Sequence, residues 1–341
     1  MSEVRAAVSR NRRARSGGTS KMTAKLRIAE KIVRAEHRSG WAYALAALEP
    51  LCAPQGILFD TFIEANFGWN FEKAQREAAV PYLEPWIGFV HNPPGIPKWH
   101  EYYSAPQVIL ASPEWRRSVP QCRGLLTLSQ TMAEWLRRKT GLPVLALVHP
   151  TEIPEVRFEW SRYAENPEPK IIQVGWWLRR FRSIYELPVS RLQRAILTPV
   201  LPQRDADFRQ ALTRDRSRTS RKLVAENAVC QLPYQSAGGF DELLAENLVF
   251  LHLYDSVCNN TLIECIVRET PVLLNPLPSV IEYLGQEYPL YFTTLAQAGK
   301  KAEDSGCVRA AHEYLHALPK HQFSAEHFRR SLAESDLYKS L

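Results

Sequence analysis

Short apolar runs alternate with helical patterns along most of this 341-residue chain. Over residues 22–38, Leu26, Ile28, Ala29, Ile32 and Val33 recur at helical spacing and predict a first helix. The turn Ser39-Gly40-Trp41 precedes a second helical run over 42–51. Strands are expected at 56–59, at 86–90 (ending in His91-Asn92-Pro93-Pro94), at 124–128, and at 143–148 (ending in His149-Pro150). A helix opens at Ser129, which caps it, and stops at Gly141 behind cations in its last turn.

Residues 151–169 carry five acids and three prolines and read as a linker. The pattern then restarts, with strands at 170–174, 194–200, 229–232 and 248–253, and helices at 204–214 and 240–246. A terminal helix over 324–341 has no strand after it. Strands alternating with amphipathic helices imply an α/β fold with parallel sheets covered on both faces. The expected division is a basic tail (1–21), a first Rossmann-like half (22–155), a second (156–323) and a helix (324–341) returning to the first.

Charge adds a tail to this picture. Residues 1–38 hold 11 Lys/Arg against 3 Asp/Glu, and the rest of the chain holds 32 against 33. The net charge of +7 therefore belongs to the N-terminal segment, where Arg10, Arg12, Arg13 and Arg15 lead into Ser16-Gly17-Gly18. Such a segment is a solvated extension or a foothold on an anionic membrane surface. The lack of stacking aromatics among its bases argues against nucleic acid. An Arg-rich, acid-poor start is also compatible with an organelle presequence. No apolar stretch marks a secretory signal or a membrane span. Six scattered cysteines without a CxxC suggest free thiols, hence a cytoplasmic location, peripheral on the membrane if the tail binds lipid.

Residues 248–274 carry the most chemistry: a buried-type strand, a polar turn, a helix with Glu264 in its first turns, and a second apolar strand. This unit sets the free amides of a helix N-terminus at the carboxyl edge of a parallel sheet, where phosphates bind. Asn260 is a natural N-cap, with Thr261 opening the helix. Glu264 is an ionisable group on an otherwise apolar helix, and Arg268 is its ordinary partner. Upstream, the strand of KIIQVGWWLRRFRS ends at Gly175, and Arg179, Arg180 and Arg182 follow beside Trp176 and Trp177. A glycine there admits a ligand to the backbone, and guanidiniums just beyond it can grip a diphosphate.

The strand–Gly–arginines order, the polar turn into a Glu-bearing helix and the closing TPVLL resemble the donor domain of retaining GT-B glycosyltransferases of the glycogen-synthase-like, group 1 type. The likeness runs over about residues 38–300. Within it, VGWWLR, LPY, FDELL, VFLHLYD, NNTLIEC, TPVLLNP and EYLGQEYPLYF resemble the recurring blocks of a less characterised branch. The resemblance implies two Rossmann-like domains facing across a cleft. It implies metal-independent, retaining transfer of a sugar from a nucleotide-diphosphate donor, with no other cofactor, to a hydroxyl of a glycan or lipid-linked saccharide. Glu264 would hold the ribose, and Arg179, Arg180 and Arg182 would balance the diphosphate. The family often has an acid eight positions before the ribose Glu. Here that position is Ser256, so Asp255 or the backbone around Cys258, Asn259 and Asn260 would meet the sugar. In the first half, Gly40 matches the phosphate-facing glycine by position. His91, with Asp60 as a rival, is the candidate acceptor contact or proton relay.

Other readings remain open on residues alone. His312-Glu313-Tyr314-Leu315-His316 is a literal HExxH, although only 25 residues follow to complete a zinc site. A GT-B scaffold that binds nucleotide or an anionic partner without catalysis is a second alternative. The basic stretch 214–222 would serve either, or would be a solvated loop.

Overall fold

A computed structural model describes residues 24–28, 40–198, 208–210, 212–215 and 228–341. The basic tail and most of the stretch 214–222 lie outside the described residues. Among the described residues, two five-stranded, all-parallel sheets organise the chain. The first is ordered β1 (Leu26–Ile28), β2 (Ile57–Asp60), β3 (Trp86–Phe89), β4 (Cys122–Thr127), β5 (Val144–Ala146). The second runs β10 (Val272–Leu274), β9 (Leu248–Leu251), β6 (Lys170–Gln173), β7 (Gln193–Leu197), β8 (Cys230–Leu232).

β1 corrects the helix expected over 22–38. Leu26, Arg27 and Ile28 pair in parallel with Ile57, Leu58 and Phe59. The helical spacing was fortuitous here, because an edge strand of three residues is decided by its partner rather than by local periodicity. Residues 29–38 of that expectation lie outside the described residues. Of the helix expected at 204–214, residues 208–210 and 212–215 are described and helical.

In the second sheet the chain leaves β6 toward β7 and β8, then returns to its other side to lay down β9 and β10. The order therefore reverses between β6 and β9, which opens a crevice outside their carboxyl ends. Each sheet has its own core. Phe59, Trp86, Phe89 and Leu126 anchor the first, and Ile172, Phe250, Leu251 and Ile266 the second. Ile96, Ala105 and Leu178 form a third, small cluster that joins the loop after β3 to the loop after β6, with Trp177 against it.

The terminal run is two helices, Ala325–Ala333 and Asp336–Ser340, because the Ser335 hydroxyl caps the second by accepting the Tyr338 N–H at 3.1 Å. Phe328, Leu332, Leu337 and Tyr338 all belong to the first core. Burial of Phe328 alone stabilises this return by about 1.5–3 kcal/mol. Leu337 rests on Gly124 of β4, where a Cβ would meet its Cδ1 at 2.5 Å. Among the described residues no helix is long and apolar enough to cross a membrane.

Candidate functional site

The crevice at the β6–β9 reversal is walled by the arginine loop. Gly175 adopts φ +75, and Leu178 takes the left-handed φ of +55 despite its side chain. This sharp reversal folds the Arg179 guanidinium back over Gly175, where a Cβ would lie 2.9 Å from Nη2. The loop is stitched to the chain beyond β9: the Arg180 N–H donates to the His252 carbonyl at 2.8 Å, and the Tyr254 N–H to Leu178 at 3.0 Å.

Arg179 is buried and spends its donors within the protein. Nε bonds the Val174 carbonyl (3.2 Å), Nη1 the Trp177 carbonyl (2.7 Å), and Nη2 both Asn259 Oδ1 (3.2 Å) and Thr261 Oγ1 (3.3 Å). Burial pulls its pKa down to about 10, and the nearby Glu264 carboxylate opposes that fall. Arg179 thus delivers a positive charge to the start of the helix Asn260–Arg268.

That helix is capped one residue earlier than the sequence suggests. Asn259, not Asn260, accepts the Leu262 N–H at 3.2 Å. Adjacent asparagines are equally good caps, and the Arg179 bond to Asn259 selects between them. Asn260 becomes the exposed first residue and Thr261 the buried second. Leu262 is capped and Ile263 begins the helical ladder by bonding the Asn259 carbonyl, so the amides of Asn260 and Thr261 are the ones left to meet an anion. Glu264 lies one turn in, buried and coupled to Arg179. The partner expected for it, Arg268, instead grips Asp241 at 2.6 and 3.0 Å and gives the Glu264 backbone carbonyl one bond (3.3 Å).

The remaining residues singled out from sequence fall in several places. Arg180 stacks on the Tyr254 ring at 4.4 Å. Arg182 starts its own helix, pairs with Glu186 one turn on, and gives its N–H to Asp215 (2.9 Å). Its charge thus has an acidic partner on its own helix. Asp255 turns to the other half of the molecule, where Oδ2 accepts the Gly95 N–H. Trp176 lies near-parallel to His100 at 6.2 Å. Gly40 is the N-cap of the helix Trp41–Leu48, which puts Trp41 edge-on to His91 at 4.3 Å.

His91 lies flat on Phe62 (3.9 Å, 14°), with its Nε2 3.1 Å from the Thr61 carbonyl. A carbonyl only accepts, so Nε2 carries the hydrogen and Nδ1 is left as an acceptor. Burial drives its pKa down to about 3, and it stays neutral at physiological pH. Asp60, the rival, is spent on structure, accepting from Phe62 N (3.0 Å), Asn66 (3.1 Å) and the Tyr82 hydroxyl (2.8 Å). Sequence reasoning missed Glu64, Glu282 and Tyr283. Glu282 closes the N-terminus of the helix Gln130–Thr140 by accepting the amides of Gln130 (2.6 Å) and Thr131 (2.7 Å), and the Tyr283 hydroxyl donates to the Leu128 carbonyl at 2.8 Å. An acid on a helix surface carries no sequence mark of the partner it will cap.

The HExxH residues serve a different purpose. On the helix Ser305–Ala317, His312 Nδ1 bonds the Glu269 carbonyl (3.0 Å) and His316 Nδ1 its carboxylate (2.7 Å), while Glu313 pairs with Arg309 at 3.0 Å. Both histidines thus fasten this helix to the end of Asn260–Arg268.

No family model and no curated protein matches the sequence. Solved structures do resemble the fold. HepE from Anabaena in complex with UDP and glucose superposes with a TM-score of 0.60 at 13% identity, over 84% of this chain and 78% of that one. An α,α-trehalose-phosphate synthase (UDP-forming) from Burkholderia vietnamiensis gives 0.53 at 14% identity, over 87% and 76%. The E. coli trehalose-6-phosphate structure bound with UDP-2-fluoro glucose gives 0.53 at 12%, over 87% and 76%. This chain has the GT-B fold. In that fold the β6–β9 crevice opens toward the other half of the molecule, from which the His91–Gly95 turn and its bond to Asp255 arrive.

Proposed function

We propose that the protein is a glycosyltransferase that takes its sugar from a nucleoside-diphosphate donor held in the second half (156–323), and passes it to a hydroxyl acceptor bound by the first half (22–155). The observation that carries this reading is the helix start at the reversal point: two open amides, a buried arginine and, one turn further in, the buried carboxylate of Glu264. Structures with this fold hold UDP and glucose, or UDP-2-fluoro glucose, and the shared geometry supports the same donor class here.

As the sugar departs, the diphosphate gains negative charge, which the Asn260 and Thr261 amides and the Arg179 charge stabilise at no reorganisation cost. With that charge supplied by the protein, we assign a metal-independent route. The released phosphate can itself accept the acceptor hydroxyl's proton, which fits retention of configuration. The Nδ1 lone pair of His91 then orients a hydroxyl of donor or acceptor.

Thermal shift with UDP, UDP-glucose and a panel of other sugar nucleotides tests the reading. A donor at 100 times its dissociation constant adds about 2.7 kcal/mol of stability. E264A should abolish that gain while the free protein stays folded. A panel without any stabilising nucleotide would refute the assignment. Asp255, the acid nearest the expected sugar position, is committed to Gly95. This favours one second reading, a scaffold that binds nucleotide without transferring sugar. UDP release from UDP-glucose separates the two.

A further inference from the structure

Glu64 is completely buried between β2 and the turn after β3. Its Oε1 accepts two backbone N–H groups at once, from His91 at 2.7 Å and Asn92 at 2.6 Å. Its Oε2 is buried with no hydrogen-bond partner. The charged side chain that acts on it is another acid, Asp60, which is itself saturated by Phe62, Asn66 and Tyr82. The other titratable ring at this turn, His91, is neutral, as is His149 beyond it, so neither supplies a balancing cation.

An ionised carboxylate here would leave one oxygen charged and unsolvated beside a like charge, which is the costliest arrangement a core can hold. We propose that Glu64 is the positioning residue of the His91 turn and works as a neutral carboxylic acid: Oε1 fixes both amides while a proton on Oε2 keeps unbalanced charge out of the core. Burial, helped by the Asp60 charge and opposed by the amides of Asn92, His91 and Glu64 itself, pushes its pKa up to about 8.

The turn held this way carries three things. It lays the His91 ring on Phe62, and it sends the Asn92 side chain to the Ser104 carbonyl (3.1 Å) and hydroxyl (3.0 Å). It also aims the Gly95 N–H at Asp255. Glu64 touches no substrate and acts through His91. Loss of its proton at alkaline pH places a charge beside Asp60 and loosens all three.

One readout rests on the transferase reading and the other does not. UDP release from UDP-glucose is followed from about pH 6 to about pH 9.5 in wild type, E64Q and E64A. E64Q keeps a neutral acceptor for both amides. It should stay within about threefold of wild type at neutral pH and lack the alkaline fall, whereas E64A should lose at least about tenfold in kcat. An E64Q enzyme as impaired as E64A at neutral pH overturns the proposal.

Independently, protein labelled with 15N-histidine reports the His91 amide, identified by its loss in H91N. Its shift should step near pH 8 in wild type and stay flat in E64Q. A flat wild-type curve overturns the proposal too. A wild type that steps but never releases UDP defeats the transferase reading alone.

Discussion

The Asp255 carboxylate leaves its own half of the molecule and accepts the Gly95 N–H of the other half at 2.7 Å. Its second oxygen accepts the Ser256 N–H at 2.8 Å, so the acid is braced from behind. Burial raises its pKa, and the two amides pull the other way. Gly95 is required for the approach, since a Cβ would stand 2.4 Å from Oδ2. Both G95A and D255A should therefore break the link between halves, at a cost of about 1 kcal/mol for one partly exposed bond. Hydrogen exchange at 92–105 should quicken in both variants; unchanged protection would show that the bond holds nothing shut.

Arg179 and Arg182 sit three residues apart and should behave as opposites. R179A leaves the Asn259 and Thr261 oxygens and two backbone carbonyls without their donor, and R179K cannot reproduce the fork. Each should lose about 2–4 kcal/mol of stability and the nucleotide-induced thermal shift with it. R182Q removes a charge that pairs with Glu186 one turn along its own helix, so its nucleotide affinity should stay within about twofold of wild type. Isothermal titration with UDP distinguishes the two outcomes.

Much of this arrangement could be read from the residues, and the misreadings share one cause. β3, β9 and β10 stand out because both faces of a parallel sheet are buried and the runs are apolar throughout, and β4 does so over its buried stretch 124–126. The strand-end glycine and the Glu-bearing helix follow from the same pattern. β1 was hidden because its identity lies in Ile57–Phe59, some thirty residues away. The cap moved from Asn260 to Asn259 because Arg179, eighty residues earlier, bonds one amide side chain and not the next. Glu64 looks like any surface acid until the amides of His91 and Asn92 are brought to it. Local pattern reports what a segment does alone, and these three sites are made by partners distant in sequence.

Glu269 predicts the acid behaviour of the fold. It holds φ +62 at the end of the helix Asn260–Arg268, and its carboxylate meets Arg157 (3.1 Å), His316 (2.7 Å) and Lys320 (3.7 Å). Burial raises its pKa, but the His316 bond and the Lys320 and Arg157 charges outweigh it and leave the group below its ordinary 4.5. The folded state therefore holds this proton less tightly than the unfolded chain does. The stabilisation is complete above the unfolded value and disappears as pH falls through the lowered folded one. E269Q should melt several degrees lower than wild type at about pH 7, and the gap should close at about pH 3. A gap that persists in acid would mean that shape, and not charge, holds the cluster.

The starts of the helices Gln130–Thr140 and Asn260–Arg268 differ in one respect that can be tested directly. Glu282 fills the start of Gln130–Thr140 with a protein carboxylate, whereas Asn260–Arg268 keeps two amides open beside Arg179. An anion seeking amide donors is thus directed to the second. E282A leaves Ser129 capping the first helix but frees the Gln130 and Thr131 amides, and should cost about 1–2 kcal/mol in urea unfolding. The UDP-induced shift should survive in full, because the nucleotide uses the other helix. If E282A removed that shift and T261A did not, the phosphate site would belong to the first half, and the roles of the two sheets would have to be exchanged.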